Sequence, residues 1–506
     1  MRCPPTVSPT PPPAPTSSDS SGASPGGPSD ALSGRHLGRT LLWVVLAAGA
    51  AFRIHWALND EGIYWPDEVY QSLEPAHRLV YGYGLVAWEF VEGARNWVLP
   101  GLVAAVLGLA RLLGVTAPGA YLDVVKVFFG LVGVATAWGS WRLARAHGAS
   151  EVAAAAGASL FALAAVPLYF APRALSENAS ALPVVLGLAL ALPKGSTRRA
   201  VLWGASLLGV AVLLRLQNGI FCVGLLVVLA AQRRWRAAGE SLAVLAGWAF
   251  AYGLLDWLTW GRWFHSALVY LDFNVLRNGA AGWGTAPFSY YGRVLFHGMP
   301  AVTLVTGVLA LLAWRRAPGL LAVAALFFLL HALQPHKELR FLVPMLPLMA
   351  ALAGVGLDAV LPGLGSRLGN LAVLGVVAVA AVSGLRAGQL TFGDVGQYED
   401  SRPGASAWDD AGDINRLLLA ASARHDICGL KIEVAHLAWT GGYSYFHQPV
   451  PLYPYNGPRR DSGLYSHVIT PAAYAPGEVL ARSGPLVLSR LRGDCVPDPG
   501  FSWRLP

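Results

Sequence analysis

The sequence predicts a mostly α-helical membrane protein, in which a multi-pass transmembrane bundle is followed by a small α/β domain. The chain of 506 residues is 55% hydrophobic and only 13% charged, and its mean hydropathy is +0.48, whereas soluble domains carry about 25% charged residues. Apolar segments recur between residues 41 and 388, and short basic clusters separate them. This pattern is typical of a polytopic membrane protein and argues against a nucleic-acid-binding domain, in spite of the formal charge of +8.

The apolar segments define the predicted transmembrane helices, because most approach the ~20 residues that a helix needs to cross the hydrocarbon core. The segments are residues 41–57, 97–114, 121–141, 152–170, 181–193, 200–214, 216–231, 241–256, 294–313, 318–334, 341–360 and 369–388. The segment 97–114 is interrupted by Pro100 and carries Arg111, so we expect it to be re-entrant or interfacial. About eleven crossings then remain.

The basic clusters predict the orientation of the bundle. No Asp or Glu lies within them, which is typical of cytoplasmic loops. Their members are Arg35, Arg39, Arg142, Arg145, Lys194, Arg198, Arg199, Arg233, Arg234, Arg236, Arg315, Arg316 and Arg367. We therefore expect a cytoplasmic N-terminus, with the first external loop, residues 58–96, and the C-terminal residues 389–506 on the exoplasmic side.

Composition divides the chain into three regions. Residues 1–34 are rich in Pro, Ser, Gly and Thr, which predicts a disordered cytoplasmic tail without the features of a signal peptide. Residues 35–388 form the predicted transmembrane domain. Residues 389–506 have shorter apolar runs and more Asp, Gly, Tyr and Pro, which is typical of a small exoplasmic domain.

Within this last region, alternating apolar residues predict strands at 430–439 and 484–491, and helical spacing predicts a helix within 405–425. Cys428 and Cys495 either form a disulfide or remain free thiols, because spacing alone does not distinguish the two. The chain shows neither a CxxC motif nor a His-rich metal-binding pattern. We predict no metal and no cofactor, and metal dependence stays open.

The stretch "YWPDEVYQSLEPAHRLVYGYG" predicts an amphipathic helix at the membrane surface. Pro66 suits its first turn, where Asp67 and Glu68 lie beside the exposed backbone N–H groups, and Pro75 kinks or splits it. A carboxylate at the lipid interface can act as a general base toward a sugar hydroxyl. The alternatives are an acidic helix cap on a solvated surface and, less favoured, a metal site.

A second stretch, "QPHKELRFLVPMLP", supplies a cluster of cations on the same predicted face. If Pro335 opens a helix, His336 and Arg340 share one side of it, with Lys337 close by and Glu338 available to orient a cation. Cations at a helix N-terminus favour an anion, phosphate in particular. The alternative is a basic helix end that reaches toward lipid head groups.

Further polar residues beside apolar runs are predicted to contact the substrate, since a polar group at membrane depth needs a partner or a ligand. They are Glu74, Glu89, Arg95, Arg173, Asn178, Arg215, Asp256, Asn274 and Glu338.

Taken in order, the motifs "PDEVYQSLEPAHRLVYGYG", "WE", "RNWVLP", "DW…GRWF…FNV" and "HKELRFLVPMLPL" resemble glycosyltransferase family 22. These are the lipid-linked mannosyltransferases of the Alg9/PIG-B type, in the GT-C superfamily. The resemblance covers most of residues 40–360. The stretch "CGLKIEVAHLAWTGGYSYFHQP" is similar to the segment after the membrane region in the glycosylphosphatidylinositol mannosyltransferase branch.

The resemblance implies transfer of mannose, with inversion, from a polyprenyl- or dolichyl-phosphate donor to a glycan or glycolipid at the exoplasmic face. It places the catalytic acidic residue at Asp67, with Glu68 beside it, and the second motif at residues 336–341. We predict that Asp67 accepts the acceptor's proton while the lipid phosphate leaves toward His336, Lys337 and Arg340. The chain departs from the family at Trp65, where a His is common, and at "RALSEN".

Two alternatives accompany this prediction. The same basic residues would serve a transporter or flippase of polyprenyl-linked sugars, although the sequence shows no inverted repeat. A GT-C enzyme with a different sugar also fits. The Ala-, Gly- and Arg-rich composition favours a GC-rich genome, and hence a bacterial inner membrane over the endoplasmic reticulum.

Overall fold

The computed structural model describes residues 28–397, 402–493 and 495–505. Most of the predicted tail, residues 1–34, lies outside the described residues, and the first helix begins at Pro28. The α-helices up to residue 385 are α1 (Pro28–Asn59), α2 (Pro66–Glu68), α3 (Glu74–Tyr81), α4 (Trp88–Val91), α5 (Val98–Leu112), α6 (Pro118–Ala146), α7 (Glu151–Ala162), α8 (Ala165–Phe170), α9 (Ser176–Ala191), α10 (Arg198–Leu214), α11 (Gly219–Ala231), α12 (Trp235–Trp260), α13 (His265–Leu271), α14 (Tyr290–Gly298), α15 (Pro300–Leu312), α16 (Pro318–Leu333) and α17 (Leu346–Leu385).

The helices follow the predicted apolar segments closely, with three differences, one of which is the division of the segment 294–313 at Met299 between α14 and α15. Four of the described helices, α1, α6, α12 and α17, contain apolar stretches long enough to cross a membrane. The segments 341–360 and 369–388 are joined in α17, which bends at Gly365, where a φ of 67° suits a residue without Cβ. The segment 152–170 is instead divided into α7 and α8.

Small residues allow the central helices to approach closely. α7 packs along α17, and a Cβ on Gly157 would lie 2.6 Å from the Cα of Gly354. Close backbone contact of this kind is the usual packing of helices in lipid, where burial of apolar surface gives little driving force. α1 and α6 also pack against α7, and α6 contacts α17 as well.

The C-terminal region is a mixed sheet covered by short helices. The helix predicted within 405–425 and the strand predicted at 484–491 are present. Of the strand predicted at 430–439, only Leu430–Ile432 is extended, and Leu437–Trp439 is a 3₁₀ turn. It contains α18 (Gly412–Ser422), β1 (Leu430–Ile432), α19 (Gly442–Phe446), β2 (Leu452–Tyr453), β3 (His467–Pro471), β4 (Glu478–Ser483) and β5 (Leu486–Arg490). The strand order is β2-β1-β3-β5-β4; β1 is parallel to β2 and β3, whereas β5 is antiparallel to β3 and β4. Cys428 and Cys495 form a disulfide.

Two local predictions about the motifs have different outcomes. The chain from Pro66 to Tyr81 is helical throughout, and a π-helical turn at Val69–Leu73 accommodates Pro75, which has no N–H to donate. The helix predicted to begin at Pro335 is wrong. α16 ends at Leu333, Gln334 is extended because a following proline disfavours the α conformation, and only a 3₁₀ turn, Leu339–Leu342, follows.

Candidate active site

A cavity of about 390 Å³ lies between the helix that starts at Pro66, the loop after α16 and the C-terminal region. Its polar lining contains most of the predicted site residues. Those lining it are Asp67, Glu89, Arg95, Arg215, Asn274, His336, Glu338 and Arg340. The C-terminal region adds His436, Ala438, Trp439 and Leu505.

Asp67 and Arg340 meet directly at this cavity. Arg340 Nη2 lies 2.5 Å from Asp67 Oδ2, and the guanidinium also binds both oxygens of Glu338, with Nε–Oε2 at 2.7 Å and Nη2–Oε1 at 3.0 Å. Arg340 is only 4% exposed. Asp67, at the start of α2, is half-buried and keeps its position beside the helix N-terminus. Arg340 therefore fixes the predicted base.

Glu338 and His336 extend this ionic network. His336 Nε2 donates to Glu338 Oε1 at 3.0 Å, and Nδ1 donates to the carbonyl of Gly284 at 2.9 Å. Burial alone would raise the pKa of Glu338, but Arg340 and His336 outweigh it and lower the pKa to about 2. Burial opposes the positive charge on His336, yet the hydrogen bond to Glu338 raises the pKa of His336 above its ordinary value. His336 can therefore carry a positive charge at the cavity.

Glu89 faces Asp67 from the other side of the cavity. Gln71 Nε2 donates to Glu89 Oε1 at 2.8 Å, and the guanidinium of Arg95 lies over the ring of Tyr270. Burial, followed by the charge of Asp67, raises the pKa of Glu89 to about 7, against the opposing charge of Arg95. Glu89 is thus a carboxyl group poised to exchange a proton near neutral pH.

Arg215 lies where the cavity continues into an apolar groove. Its Nη1 contacts Glu177 Oε1 at 2.7 Å and donates to Ser176 Oγ at 3.2 Å. Arg215 is only 4% exposed, and its Nε and Nη2 atoms have no hydrogen-bond partner among the described residues. Buried N–H groups without an acceptor are costly unless a ligand satisfies them.

The apolar groove encloses about 470 Å³ between α11, α13 and α16. Arg215, Gln217, Asn274 and His336 line both the groove and the cavity, and Asn278, His331 and Gln334 add polar groups to the groove alone. Gln217 Nε2 donates to the Tyr270 hydroxyl. Farther along, its walls carry aliphatic side chains, namely Leu216, Ile220, Val223, Leu271, Val275, Leu326 and Leu330. Such a groove suits a hydrocarbon chain.

Glu68 and Arg173 do not line the cavity; they hold the segment that carries Asp67. Glu68 Oε2 accepts from Tyr64 N and Arg173 Nη1, each at 3.0 Å, and Arg173 Nη2 binds Asp60 Oδ2 at 3.1 Å. Arg173 is 1% exposed. The carboxylate of Glu68 is engaged with buried partners, so Asp67 is the one of these two adjacent carboxylates that lines the cavity.

Three other predicted residues also lie away from the cavity. Glu74 is buried against α19, Asn178 Nδ2 donates to the carbonyl of Arg173 at 2.9 Å, and Asp256 accepts from Ser266 N at 2.8 Å. Each side chain makes hydrogen bonds to backbone groups at a helix end or in a loop. Their predicted contacts with substrate gain no support from these positions.

Lys337 points away from Asp67. Its Nζ donates to the carbonyls of Ala286, at 2.7 Å, and Gln334, and it lines a separate cavity of about 380 Å³. Burial lowers its pKa. His336 lines both cavities, whereas Lys337 lines the separate cavity and not the catalytic one, because the loop is not helical there.

Sequence reasoning did not select two residues that shape the site. Glu177, fully buried, contacts Arg215 and lies 3.7 Å from Arg340 Nε; a carboxylate at the edge of an apolar run was the available signal. Trp439 lies in the C-terminal region and reaches the cavity through tertiary packing, for which the sequence carries no signal. Across residues 28–397, 402–493 and 495–505, no group of three or more His, Cys, Asp or Glu is placed to hold a metal ion.

The family model for Alg9-like mannosyltransferases matches residues 43–392, which include every helix that frames the cavity. The chain belongs to the Alg9-like mannosyltransferase family. Within it, the chain is 29% identical over 323 residues to GPI mannosyltransferase 3 of Yarrowia lipolytica, a match that covers 62% of each chain. It is 26% identical over 335 residues to GPI alpha-1,2-mannosyltransferase 3 of Xenopus laevis, covering 64% of this chain and 62% of that one. The chain thus spans about three-fifths of the length of these relatives.

A solved structure shares the fold of this Alg9-like chain. ArnT from Cupriavidus metallidurans, bound to undecaprenyl phosphate, superposes with a TM-score of 0.56 at 13% sequence identity, covering 89% of this chain and 97% of that one. At this identity the likeness establishes the fold alone. The chain therefore shares the fold of this solved protein, and it is mostly helical, as the sequence predicts.

Proposed function

We propose that this chain transfers mannose, with inversion at the anomeric carbon, from a polyprenyl- or dolichyl-phosphate donor to a glycan or glycolipid acceptor. One observation carries the proposal: Asp67, held by Arg340, faces a cavity that continues into an apolar groove at Arg215. The lipid chain of a donor fits the groove, its phosphate fits the junction at Arg215, and its sugar fits the cavity beside Asp67.

The reaction is a single displacement. The donor lipid lies in the groove and its phosphate binds the two unpartnered nitrogens of Arg215. Asp67 takes the proton from the acceptor hydroxyl as its oxygen bonds to the anomeric carbon. The bond from that carbon to the phosphate oxygen breaks, and its electron pair leaves with the lipid phosphate. A well-placed N–H donor at the leaving oxygen stabilises such a transition state by about 3 kcal/mol.

This proposal changes two of the roles assigned from sequence. Arg340 holds Asp67 in place, and Lys337 faces the separate cavity, so Arg215 takes the phosphate instead. Asp67 remains a base although it is ion-paired, because Arg340 also binds Glu338 and approaches Glu177. A cation shared among three carboxylates neutralises each of them only in part.

We further propose the orientation predicted from the basic loops, with about eleven crossings, a membrane domain at 35–388 and an exoplasmic domain at 389–506. The Cys428–Cys495 disulfide supports it, because such bonds persist on the oxidising side of a membrane. Contacts between α19 and α3 place the C-terminal region beside the first loop, in agreement with a shared side. We propose that no organic cofactor takes part.

Incubation of the purified protein with polyprenyl-phosphate-[³H]mannose and a panel of glycolipid acceptors tests the proposal. Label should pass to an acceptor, the product should have inverted anomeric configuration, and GDP-[³H]mannose should give no product. Transfer from the nucleotide sugar, or from polyprenyl-phosphate-glucose in place of mannose, would contradict it. Movement of intact donor across proteoliposomes without transfer would indicate a transporter.

A further inference from the structure

We propose that Trp65, Trp283 and Trp439 form a platform that binds sugar rings of the acceptor, so that the C-terminal region selects a glycan at least two sugars long. The inference rests on the proposed mannosyl transfer and goes further, because it assigns the class of acceptor. The platform is defined as these three indole rings.

The separate cavity of about 380 Å³ is placed to hold part of the acceptor. It adjoins the catalytic cavity, and the two cavities share five residues: Trp65, Trp283, His336, Glu338 and Trp439. Of these five, His336 alone also lines the groove, which otherwise meets the catalytic cavity through other residues, Arg215, Gln217 and Asn274 among them. If the donor occupies the groove, the separate cavity is the space left for the remainder of the acceptor.

The chemistry of the lining supports sugar binding. The rings of Trp65 and Trp439 meet edge to face, with centroids 5.0 Å apart and planes at 88°. Trp439 is 37% exposed and Trp283 is 54% exposed. The C–H face of a pyranose packs on an indole, and polar groups along the edge bind its hydroxyls. Thr285, Gln397 and Glu338 line this cavity and can supply those polar contacts.

The platform is fixed relative to the base. Trp439 ends a 3₁₀ turn, Leu437–Trp439, whose Leu437 carbonyl accepts from the Tyr70 hydroxyl and, at 2.7 Å, from Thr440 Oγ1. Tyr70 lies one helical turn after Asp67 in the same helix. A sugar on the platform is therefore held at a constant distance from Asp67, and the next sugar of the glycan reaches the catalytic cavity.

Trp439 also lies outside the part of the chain that the family model matches, residues 43–392. The residues that bind the donor belong to the matched part, whereas His436, Ala438 and Trp439 come from beyond it. Acceptor choice can thus change without altering donor binding. Loss of the Trp439 side chain should therefore weaken selection of the acceptor and leave binding of the donor unchanged.

The experiment compares octyl α-mannoside with octyl α-dimannoside as acceptors, with polyprenyl-phosphate-[³H]mannose as donor. Wild-type protein should prefer the dimannoside in kcat/KM. Trp439→Ala should reduce that preference about 10-fold and leave the donor KM unchanged, while Trp439→Phe retains part of it. Tyr474→Ala is the control, because this exposed ring in the same region lines neither cavity nor groove.

An unchanged donor KM shows that Trp439→Ala is folded, so a lost preference then supports the platform. A Trp439→Ala protein that keeps the dimannoside preference overturns the platform and leaves the proposed function intact. An increased donor KM also overturns it, by assigning the cavity to the donor. Wild-type protein that labels members of the glycolipid panel but neither octyl mannoside overturns this inference alone. Wild-type protein that labels no acceptor at all overturns the proposed function and this inference with it.

Discussion

Arg340 Nη2 lies 2.5 Å from Asp67 Oδ2 and so joins two motifs that are 273 residues apart. From the sequence, the motif at Asp67 is predicted to supply the base and the motif at Arg340 is predicted to bind the donor phosphate. In the structure they form one unit, in which Arg340 and Glu338 orient the carboxylate. The proposed phosphate site is therefore Arg215, at the mouth of the apolar groove.

Asp67→Asn should lower kcat by about 10²–10⁴-fold, because the amide fills the same space but cannot accept the proton. Donor binding should persist, since Arg215 and the groove are unchanged. Single-turnover transfer of [³H]mannose and donor binding by filtration measure the two effects. Asp461→Asn, at an exposed carboxylate, is the control and should keep wild-type rates. Full activity in Asp67→Asn would place the base elsewhere.

Arg215→Lys should raise the donor KM about 10-fold, because an ammonium cannot satisfy a phosphate with the paired nitrogens of a guanidinium. The positive charge beside Glu177 is kept, which limits the structural damage. Lys337→Gln serves as the comparison, since Lys337 faces the separate cavity. The measurement is initial rate against donor concentration. A larger effect from Lys337→Gln than from Arg215→Lys would restore the phosphate site predicted from sequence.

The sequence was sufficient to predict the helical bundle, the helix that carries Asp67 and two of the five strands of the C-terminal sheet, one of them only in part. Each depends on local periodicity: apolar runs, a helical stripe after Pro66, and alternation in the strands. The partner of Arg340 could not be predicted, because it depends on how distant segments pack. The conformation after Pro335 was predicted incorrectly, since the effect of a proline on Gln334 outweighed the helical spacing of the cations.

Buried structural charges and site charges also look alike in a sequence. Arg173 and Arg215 both lie beside apolar runs. Arg173 pairs with Asp60 and Glu68, whereas Nε and Nη2 of Arg215 have no hydrogen-bond partner in the part of the chain that the structure describes. The difference lies in the tertiary partners. Only the arrangement in space separates a residue that holds the fold from one that awaits a ligand.

Glu89 should make the stability of the protein depend on pH. Its pKa is raised from the ordinary value of 4.5 to about 7, chiefly by burial and then by Asp67. The folded state therefore binds this proton more tightly than the unfolded state, so its stabilising effect is complete below pH 4.5 and is lost as pH rises to about 7. Wild type should lose thermal stability relative to Glu89→Gln between pH 5 and pH 8. Parallel melting curves in detergent would contradict this assignment.

Glu74→Ala should loosen the C-terminal region from the first loop. The Glu74 carboxylate accepts from Leu85 N at 2.8 Å, Tyr443 N at 3.0 Å, and Ser444 N and Oγ at 2.9 and 2.8 Å. Truncation leaves four buried donors without an acceptor, at a cost of about 1–3 kcal/mol each where water cannot enter. We expect a lower melting temperature and faster hydrogen exchange across residues 441–446, measured by mass spectrometry.

Glu92→Ala provides the matched control, because Glu92 is exposed on the same loop and its loss should leave exchange at residues 441–446 unchanged. Glu74→Gln should have an intermediate effect, since one amide oxygen still accepts while the amide N–H₂ opposes the remaining donors. Transfer should fall together with the ordering of residues 441–446, because the same C-terminal region carries the wall of the cavity that contains Trp439. Protected amides at 441–446 in Glu74→Ala would show that apolar packing of α19 alone holds the two parts together.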